Sequence, residues 1–221
     1  EHWTLEPDFA VKADPALGIL AVLTEPASVI AKAWDHIERI GERTKYWKPR
    51  KLLVTGAGPV GLLAAMVGAQ RGLDVHVLDR NTDGPKPQLV RDLGATYHTG
   101  DFSKLKPDIV IECTGAASVI RGAIECTAAD GITCLAGIGA PGKPTPLDLS
   151  SLNRTMVLEN DVVFGSVNAN RAHYRAAADA LAKADKKWLA RIITRRVPLS
   201  RWHEAFERRP DDIKVIVDFT A

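Results

Sequence analysis

The amino-acid sequence predicts an α/β fold: an open, doubly wound parallel sheet with helices on both faces. Along its 221 residues, short apolar stretches typical of strands alternate with amphipathic stretches typical of helices. Strands that alternate with crossover helices form parallel sheets, because each helix carries the chain back to the edge where the next strand begins. The strand stretches are almost wholly apolar, as expected for strands that are buried on both faces.

Each element has its own signal. The first helix is predicted over Thr24–Arg43, where Val29, Ala33, Ile37 and Ile40 lie on one helical face. After it, strands are predicted in KLLVTG, DVHVLD, PDIVIEC, GITCLAG and DVVFGSV. Helices are predicted in PVGLLAAMVGAQRG, KPQLVRDLG and AASVIRGAIECTAAD, each of which follows one of the first three strands, and in RAHYRAAADALAKAD after the last strand. Near the end, RWHEAFERR is predicted as an amphipathic helix and IKVIVDF as a strand, and the opening EHWTLEPDF as extended chain.

Charge balance and cysteine spacing exclude several classes of protein. The 29 basic and 27 acidic residues leave a formal net charge of +2, too balanced to indicate a nucleic-acid or anionic-membrane partner. Cys113, Cys126 and Cys134 are odd in number and lack a CxxC spacing, so we expect free thiols. No apolar run is expected to span a membrane and no signal-peptide pattern is seen, which together predict a cytoplasmic protein without a membrane partner.

A glycine-rich turn lies between the first predicted strand and the second helix. Gly56, Gly58 and Gly61 form a G-x-G-x-x-G pattern, with Pro59 and Val60 between the last two glycines. In this context the first glycine permits a tight turn, the second lets the backbone approach a pyrophosphate, and the third lets helix and strand pack closely. The helix N-terminus adds free N–H groups and a favourable dipole for phosphate. These five residues therefore predict a Rossmann-type fold that binds a dinucleotide.

The end of the second strand bears on which dinucleotide is bound. Asp79 stands 18 positions after Gly61, where a carboxylate accepts hydrogen bonds from the hydroxyls of the adenosine ribose and favours NAD. Arg80 follows it, and a guanidinium there can pair with the 2′-phosphate of NADP. Lys86 could add a positive charge here, but we prefer to interpret it as a solvated lysine at the start of a helix. We expect NAD or NADP as the cofactor, with NAD slightly favoured.

Two other nucleotide-binding classes have requirements of their own. A short-chain dehydrogenase needs a Tyr-x-x-x-Lys pair, but Tyr46, Tyr97 and Tyr174 have no lysine four positions further on. A methyltransferase also has glycines after its first strand and an acid after its second. The full glycine pattern and the ECTG and AGIG strand ends fit a dinucleotide better.

Several motifs together carry a family resemblance over essentially the whole chain: LTEPASVIAKAW, VTGAGPVGLLAA, DRNTDGPKPQLVRDLGATY, IECTG, ENDVVFGSVNANRAHY and RRPDDIKVIVDF. They resemble the cofactor-binding, C-terminal part of zinc-dependent glucose 1-dehydrogenases in the medium-chain dehydrogenase/reductase superfamily. The resemblance implies oxidation of the C1 hydroxyl of glucose to gluconolactone, with hydride transfer to the nicotinamide and a zinc ion that acidifies the hydroxyl. The zinc ligands of that family lie chiefly on an N-terminal GroES-like domain, which this sequence lacks.

The resemblance also implies roles for three further residues. Glu25, in TEP, matches a family acid that reaches the zinc or its bound water, so it is a candidate catalytic and metal-binding residue together with N-terminal ligands. Thr114, in ECTG, resembles a residue that lines the nicotinamide ribose. Asn168, in SVNAN, matches an asparagine that approaches both the nicotinamide and a sugar hydroxyl, which makes it a candidate catalytic and cofactor-binding residue.

The same resemblance implies a division of the chain. Residues 1–23 lead from the absent catalytic domain, residues 24–199 form the NAD(P)-binding domain with its leading helix, and residues 200–221 return to the catalytic domain. We expect the first and last segments to pair with each other or to leave an apolar edge. The chain alone is expected to be inactive, and a homo-oligomer built on the GITCLAGIG and DVVFGSV strands is expected.

Two alternatives stay open. One is a related polyol or threonine dehydrogenase, which only the motifs GSVNAN and RRPDDIKV disfavour. The other is a free-standing NAD(P)-binding module, in which Glu25 and Asn168 would have no reason to face a sugar site.

Overall fold

The computed structural model describes residues 4–140, 142 and 145–220. Within these residues the strands form one six-stranded sheet and one two-stranded sheet. The strands are β1 (Lys51–Thr55), β2 (Asp74–Leu78), β3 (Thr96–His98), β4 (Ile109–Glu112), β5 (Ile132–Leu135), β6 (Val162–Gly165), β7 (Ile193–Pro198) and β8 (Lys214–Asp218).

Helices connect most of these strands. They are α1 (Thr24–Gly41), α2 (Pro59–Gln70), α3 (Pro85–Asp92), α4 (Ala117–Glu125), α5 (Leu149–Glu159), α6 (Arg171–Lys183) and α7 (Lys186–Ile192). The described part of the chain also has 3-10 helices at Pro7–Phe9, Pro15–Leu23 and Leu199–Phe206.

The larger sheet is parallel throughout, in the order β3-β2-β1-β4-β5-β6. The chain moves outward from β1 to β3 and then crosses back to β4 on the other side of β1. This reversal leaves a crevice at the carboxyl ends of β1 and β4, where open parallel sheets bind ligands. The predicted Rossmann-type fold is thus confirmed.

The core lies on both faces of this sheet. Successive residues of β1 point to opposite sides: Leu52 and Val54 join a large apolar cluster with α1, α2, α6 and α7, and Leu53 joins a smaller cluster with Ala123 of α4. All four of these side chains are fully buried. The predicted arrangement with helices on both faces therefore follows from the period-two alternation of the central strands.

The opening EHWTLEPDF is predicted as extended chain, but among its described residues Pro7–Phe9 form a 3-10 helix. A second 3-10 stretch, Pro15–Leu23, lies directly before α1 and has a break in its helical geometry at Gly18. The Asp14 side chain accepts a hydrogen bond from the N–H of Ala16 at 2.8 Å and caps this 3-10 stretch. Leu17, which precedes the break at Gly18, and Leu20 and Leu23, which follow it, are all buried in the large cluster. This segment is therefore part of the core.

The C-terminal strands pair in a way that the sequence did not predict. β8 pairs with β7 in parallel, so the first of the two expected outcomes, pairing of the two ends with each other, is wrong for the described residues. The predicted amphipathic helix in RWHEAFERR is instead the 3-10 stretch Leu199–Phe206, interrupted at Arg201. This stretch connects the two strands, so the small sheet extends across the expected boundary at 199/200.

One helical stretch, Pro15–Gly41, meets the length and composition of a membrane span, contrary to the expectation that no apolar run would do so. About half of its apolar window, 50%, is buried inside the fold. Ile30, Ala33, Trp34 and Ile37 of α1 lie in the large apolar cluster. The apolar character of this stretch is therefore used in packing against the sheet and α6.

Candidate dinucleotide-binding site

The glycine loop connects β1 to α2, and each glycine has a different environment. Gly56 has a φ of +93°, in the left-handed region that favours glycine. A Cβ at Gly61 would lie 1.8 Å from the carbonyl oxygen of Gly56, whereas a Cβ at Gly58 would meet nothing within 4 Å. The first glycine thus forms the turn, the third permits close packing, and the second borders open space where a pyrophosphate can approach.

The start of α2 is prepared for an anion. Gly58 is the N-cap residue and makes no side-chain cap hydrogen bond, and Pro59, the first helical residue, has no N–H. The next N–H groups, of Val60 and Gly61, lie in the first turn, where a helix leaves its donors without intrahelical partners. Together with the helix dipole they give this end of α2 a partial positive charge.

Asp79 lies directly after β2 and contacts the glycine loop. Its carboxylate accepts hydrogen bonds from the N–H of Ala57 at 2.7 Å and from the N–H of Asn81 at 3.0 Å. Burial acts to raise the pKa of Asp79, but these two N–H donors and the nearby Lys86 ammonium outweigh it, so that the pKa is lowered. The side chain is therefore a carboxylate at neutral pH.

A cleft of about 550 Å³ brings the candidate cofactor residues together. The residues that line it include Gly56, Gly58, Asp79, Arg80 and Thr114. Pro59, Val60 and Gly61 follow directly at the start of α2. The cleft also includes Lys86, whose Nζ lies 3.3 Å from Oδ2 of Asp79, so this lysine is not the solvated residue that the sequence suggested.

Glu112, at the carboxyl end of β4, is a site residue that the sequence reasoning missed. It is fully buried, and its carboxylate accepts hydrogen bonds from the hydroxyls of Thr55 and Thr114 and from the N–H groups of Thr114 and Gly115. Burial of a carboxylate is costly unless donors surround it, as they do here. Glu112 thereby holds Thr114 and the turn after β4 in place; the acid in ECTG was the only available signal.

The other two candidates, Glu25 and Asn168, are absent from the described lining of this cleft. Glu25 is exposed in the first turn of α1 and borders a second cavity, of about 810 Å³, which Asn170 at the start of α6 also lines. Asn168 is exposed in the loop after β6, with a φ of +61° that asparagine tolerates better than most residues. Both therefore lie on the side of the fold that carries the start of α1 and α6.

The three cysteines are free, as predicted. Cys126 and Cys134 are buried, and burial raises their pKa values to about 11 and about 12. Burial and the neighbouring Glu112 also raise the pKa of Cys113, which borders the cleft. The thiols are protonated at neutral pH and are poor candidates for nucleophiles.

Known proteins resemble this chain in sequence. Glucose 1-dehydrogenase 2 of Vulcanisaeta moutnovskia is 38% identical over 224 residues, which cover 99% of this chain and 64% of the relative. Glucose 1-dehydrogenase of Thermoproteus tenax is 38% identical over 220 residues, which cover 95% of this chain and 62% of the relative. The chain thus spans somewhat less than two thirds of the curated relatives that it matches.

Solved structures and a family model agree with these sequence matches. The glucose dehydrogenase of Haloferax mediterranei, solved in complex with NADP, Zn and gluconolactone, matches with a TM-score of 0.90 at 26% identity, covering 99% of this chain and 64% of that one. The model of the family described as glucose dehydrogenase C-terminus matches residues 18–219. This range includes the glycine loop, the acid after β2 and both sheets, and the chain belongs to the glucose dehydrogenase C-terminus family.

Proposed function

We propose that this chain is the cofactor-binding part of a glucose 1-dehydrogenase and binds NAD or NADP at the carboxyl edge of the six-stranded sheet. The observation that carries the proposal is the cleft that Gly58, Asp79 and Thr114 line together beside the start of α2. A dinucleotide needs an anion site flanked by two ribose sites, and we assign these three sites to residues that line this cleft. The choice of glucose as the substrate rests on the names of the relatives.

The proposed reaction is oxidation of glucose at C1 to gluconolactone, with hydride transfer to the nicotinamide. Support comes from the Haloferax mediterranei enzyme, whose structure contains NADP and gluconolactone. In this reaction the chain holds and orients the cofactor. The glycine loop binds the pyrophosphate, Asp79 binds the adenosine end, and Thr114 contacts the nicotinamide ribose. We further propose that Asn168 approaches the nicotinamide and a sugar hydroxyl.

Zinc requires ligands beyond those described here. A catalytic zinc polarises a substrate oxygen and takes three protein ligands. Among residues 4–140, 142 and 145–220, no group of three or more His, Cys, Asp and Glu side chains could hold a metal ion. Glu25 provides a single exposed carboxylate, so these residues alone do not fit a zinc site. We propose that Glu25 contributes only together with ligands from another part of a longer protein, and that the chain alone does not oxidise glucose.

The division of the chain and its association are also proposals. We propose that residues 24–199 form the NAD(P)-binding domain, with residues 1–23 and 200–221 leading from and to a catalytic domain, although Pro15–Leu23 packs into the core and β8 pairs with β7 across these boundaries. β6 is an edge strand of the larger sheet, so a second copy of the chain can pair with it and form a homo-oligomer. The free thiols agree with a cytoplasmic location.

Calorimetric titration with NAD and with NADP tests cofactor binding. We expect at least one of them to bind. If a chain whose circular dichroism shows native helix content bound neither, the proposal would be wrong.

The sugar assignment needs a second experiment. We would place the N-terminal part of the Vulcanisaeta moutnovskia relative before residue 1 and follow cofactor reduction with glucose, with sorbitol and with threonine. Activity with glucose is expected, and it should fall when Asn168 is replaced by alanine. Activity with sorbitol or threonine but not with glucose would favour the polyol or threonine alternative.

A further inference from the structure

Lys86 is placed unusually for a lysine at the start of a helix. It lies in the first turn of α3, and its side chain is only 17% exposed. Its Nζ lies 3.3 Å from Oδ2 and 3.4 Å from Oδ1 of Asp79, within the cleft that borders the glycine loop. A lysine that is largely withdrawn from water needs a partner for its charge. Asp79 is that partner.

The carboxylate of Asp79 is already largely occupied by the chain's own donors. Its two oxygens accept from the N–H groups of Ala57 and Asn81 and from the Lys86 ammonium. An ionised carboxylate has about four acceptor positions. The four hydrogen bonds to Asp79 use these positions, whereas NAD presents two hydroxyls at this ribose that would have to displace some of the chain's own donors. Asp79 is therefore not the free acid that a strict preference for NAD requires.

The charges in this part of the cleft favour a phosphate. Lys86 neutralises Asp79, and Arg80, which is exposed, also lines the cleft, so the three side chains carry one net positive charge. A lysine has three N–H donors on a flexible chain and can contact a carboxylate and a phosphate together. The 2′-phosphate of NADP brings a charge of about −1.5 to −2 and three acceptor oxygens.

We propose that Lys86 determines the cofactor specificity of this site, by shielding Asp79 and binding the 2′-phosphate together with Arg80, so that the chain binds NADP at least as tightly as NAD. This inference rests on the proposed function, because it assumes that the cleft holds the adenosine end of a dinucleotide. It replaces the slight preference for NAD that Asp79 alone suggests.

The test compares Lys86→Gln, which removes the charge, with Lys86→Arg, which keeps it. Lys45→Gln is the matched control, because Lys45 is exposed in the turn after α1, at the other end of β1 from the cleft. Dissociation constants for NAD, NADP, AMP and 2′,5′-ADP are measured by calorimetry at two salt concentrations.

In Lys86→Gln we expect the affinity for NADP and 2′,5′-ADP to fall about tenfold or more, while that for NAD and AMP changes by no more than about threefold. Lys86→Arg and Lys45→Gln should keep the wild-type ratio of the affinities for NADP and NAD. The salt dependence of NADP binding should weaken only in Lys86→Gln.

A variant of the partner residue keeps the proposal testable if Lys86→Gln does not fold. Asp79→Asn retains an acceptor oxygen for the N–H of Ala57 but removes the negative charge, so it should bind NADP more tightly than the wild type. An unchanged NADP-to-NAD ratio in Lys86→Gln or in Asp79→Asn would overturn the role of Lys86 while leaving dinucleotide binding intact. Failure of the folded wild-type chain to bind either dinucleotide would overturn the proposed function, and this inference with it.

Discussion

Gly58 and Gly61 share one short motif but differ in what a side chain would meet. At Gly61 a Cβ would lie 1.8 Å from the backbone oxygen of Gly56, which cannot move aside as a flexible side chain can. At Gly58 the added atom would meet nothing within 4 Å, and the φ of −78° suits any residue. One glycine is thus required by the fold and the other is open to a ligand.

This difference predicts opposite results for two alanine variants. Gly61→Ala should lower the free energy of unfolding by about 2 kcal/mol, because the helix must move away from the loop. Gly58→Ala should change it by less than about 0.5 kcal/mol but weaken dinucleotide binding about tenfold or more, since the methyl group occupies the space of the pyrophosphate. Urea unfolding and calorimetry measure the two effects. Tight binding by Gly58→Ala would contradict this use of the loop.

Glu112 allows a second prediction at this scale. Glu112→Ala removes the acceptor for the hydroxyl of Thr55 and for the N–H groups of Thr114 and Gly115, so the free energy of unfolding should fall by about 3 kcal/mol. Glu112→Gln keeps one acceptor oxygen, so the free energy of unfolding should fall by less than in Glu112→Ala.

Glu42→Ala, at an exposed position after α1, serves as the control and should leave the free energy of unfolding almost unchanged. Equal losses for Glu112→Ala and Glu42→Ala would show that the buried carboxylate does not hold the turn.

At the scale of elements, the short edge strand β3 carries a pH-sensitive contact with β2. His98 of β3 and His76 of β2 lie 2.8 Å apart through Nε2 and Nδ1, and His76 also contacts Asp74. Burial, and secondarily the neighbouring His76, lowers the pKa of His98. The folded chain therefore resists protonation at this position more than the unfolded chain does.

The sign of the pH effect follows from this lowered pKa. The contribution to stability is complete above the ordinary histidine pKa of about 6.5 and is lost as the pH falls through the lower value of the folded chain. Urea unfolding between pH 7.5 and 5 should show a smaller loss of stability in His98→Gln than in the wild type. The control variant His203→Gln, at an exposed position, should lose as much stability over this pH range as the wild type. If His98→Gln also lost as much as the wild type, the contact between His98 and His76 would not be a source of the pH dependence.

A second element-scale prediction concerns the small sheet. Arg195 of β7 contacts Asp212 through two nitrogens, at 2.8 and 3.3 Å, and donates to the carbonyl oxygens of Glu204 and Glu207. A lysine cannot make this set of contacts, because it lacks the planar fork of donors. In Arg195→Lys, the amides of β8 should exchange with solvent about tenfold faster than in the wild type.

The control variant is Arg196→Lys, at the neighbouring exposed position, and the amides of β1 and β4 serve as an internal reference. Faster exchange in both sheets would point to global destabilisation instead.

What the sequence could predict depended on element length and on burial. Long apolar or periodic stretches such as α1, α2 and β4 were predicted correctly, because their hydrophobic pattern repeats often enough to be recognised. β3, α5, α7 and β7 were missed: β3 has three residues, and α5 has no buried residue to produce a pattern. In the site, the glycine spacing was visible, but the contact of Lys86 with Asp79 and the burial of Glu112 depend on tertiary packing, which spacing alone does not reveal.

At the scale of the whole molecule, cofactor binding should stabilise the fold. A ligand that binds only the folded state adds about 2.7 kcal/mol when its concentration is one hundred times the dissociation constant. For a chain of 221 residues this corresponds to a rise in Tm of about 8 °C. Thermal unfolding with NADP should show this rise in the wild type and a much smaller one in Gly58→Ala at the same concentration. No rise in either would indicate that the cleft does not bind the cofactor.

The hydrogen bond from the N–H of Ala57 to Asp79 has a consequence for how cofactor preference can evolve. Because the carboxylate braces the glycine loop as well as facing the ribose, a change at position 79 to a residue without an acceptor would alter loop geometry and nucleotide choice at once. Arg80 and Lys86 make no such contact with the loop in the described hydrogen bonds. Substitutions at positions 80 and 86 can therefore change the preference between the two nicotinamide coenzymes without removing the hydrogen bond that supports the glycine loop.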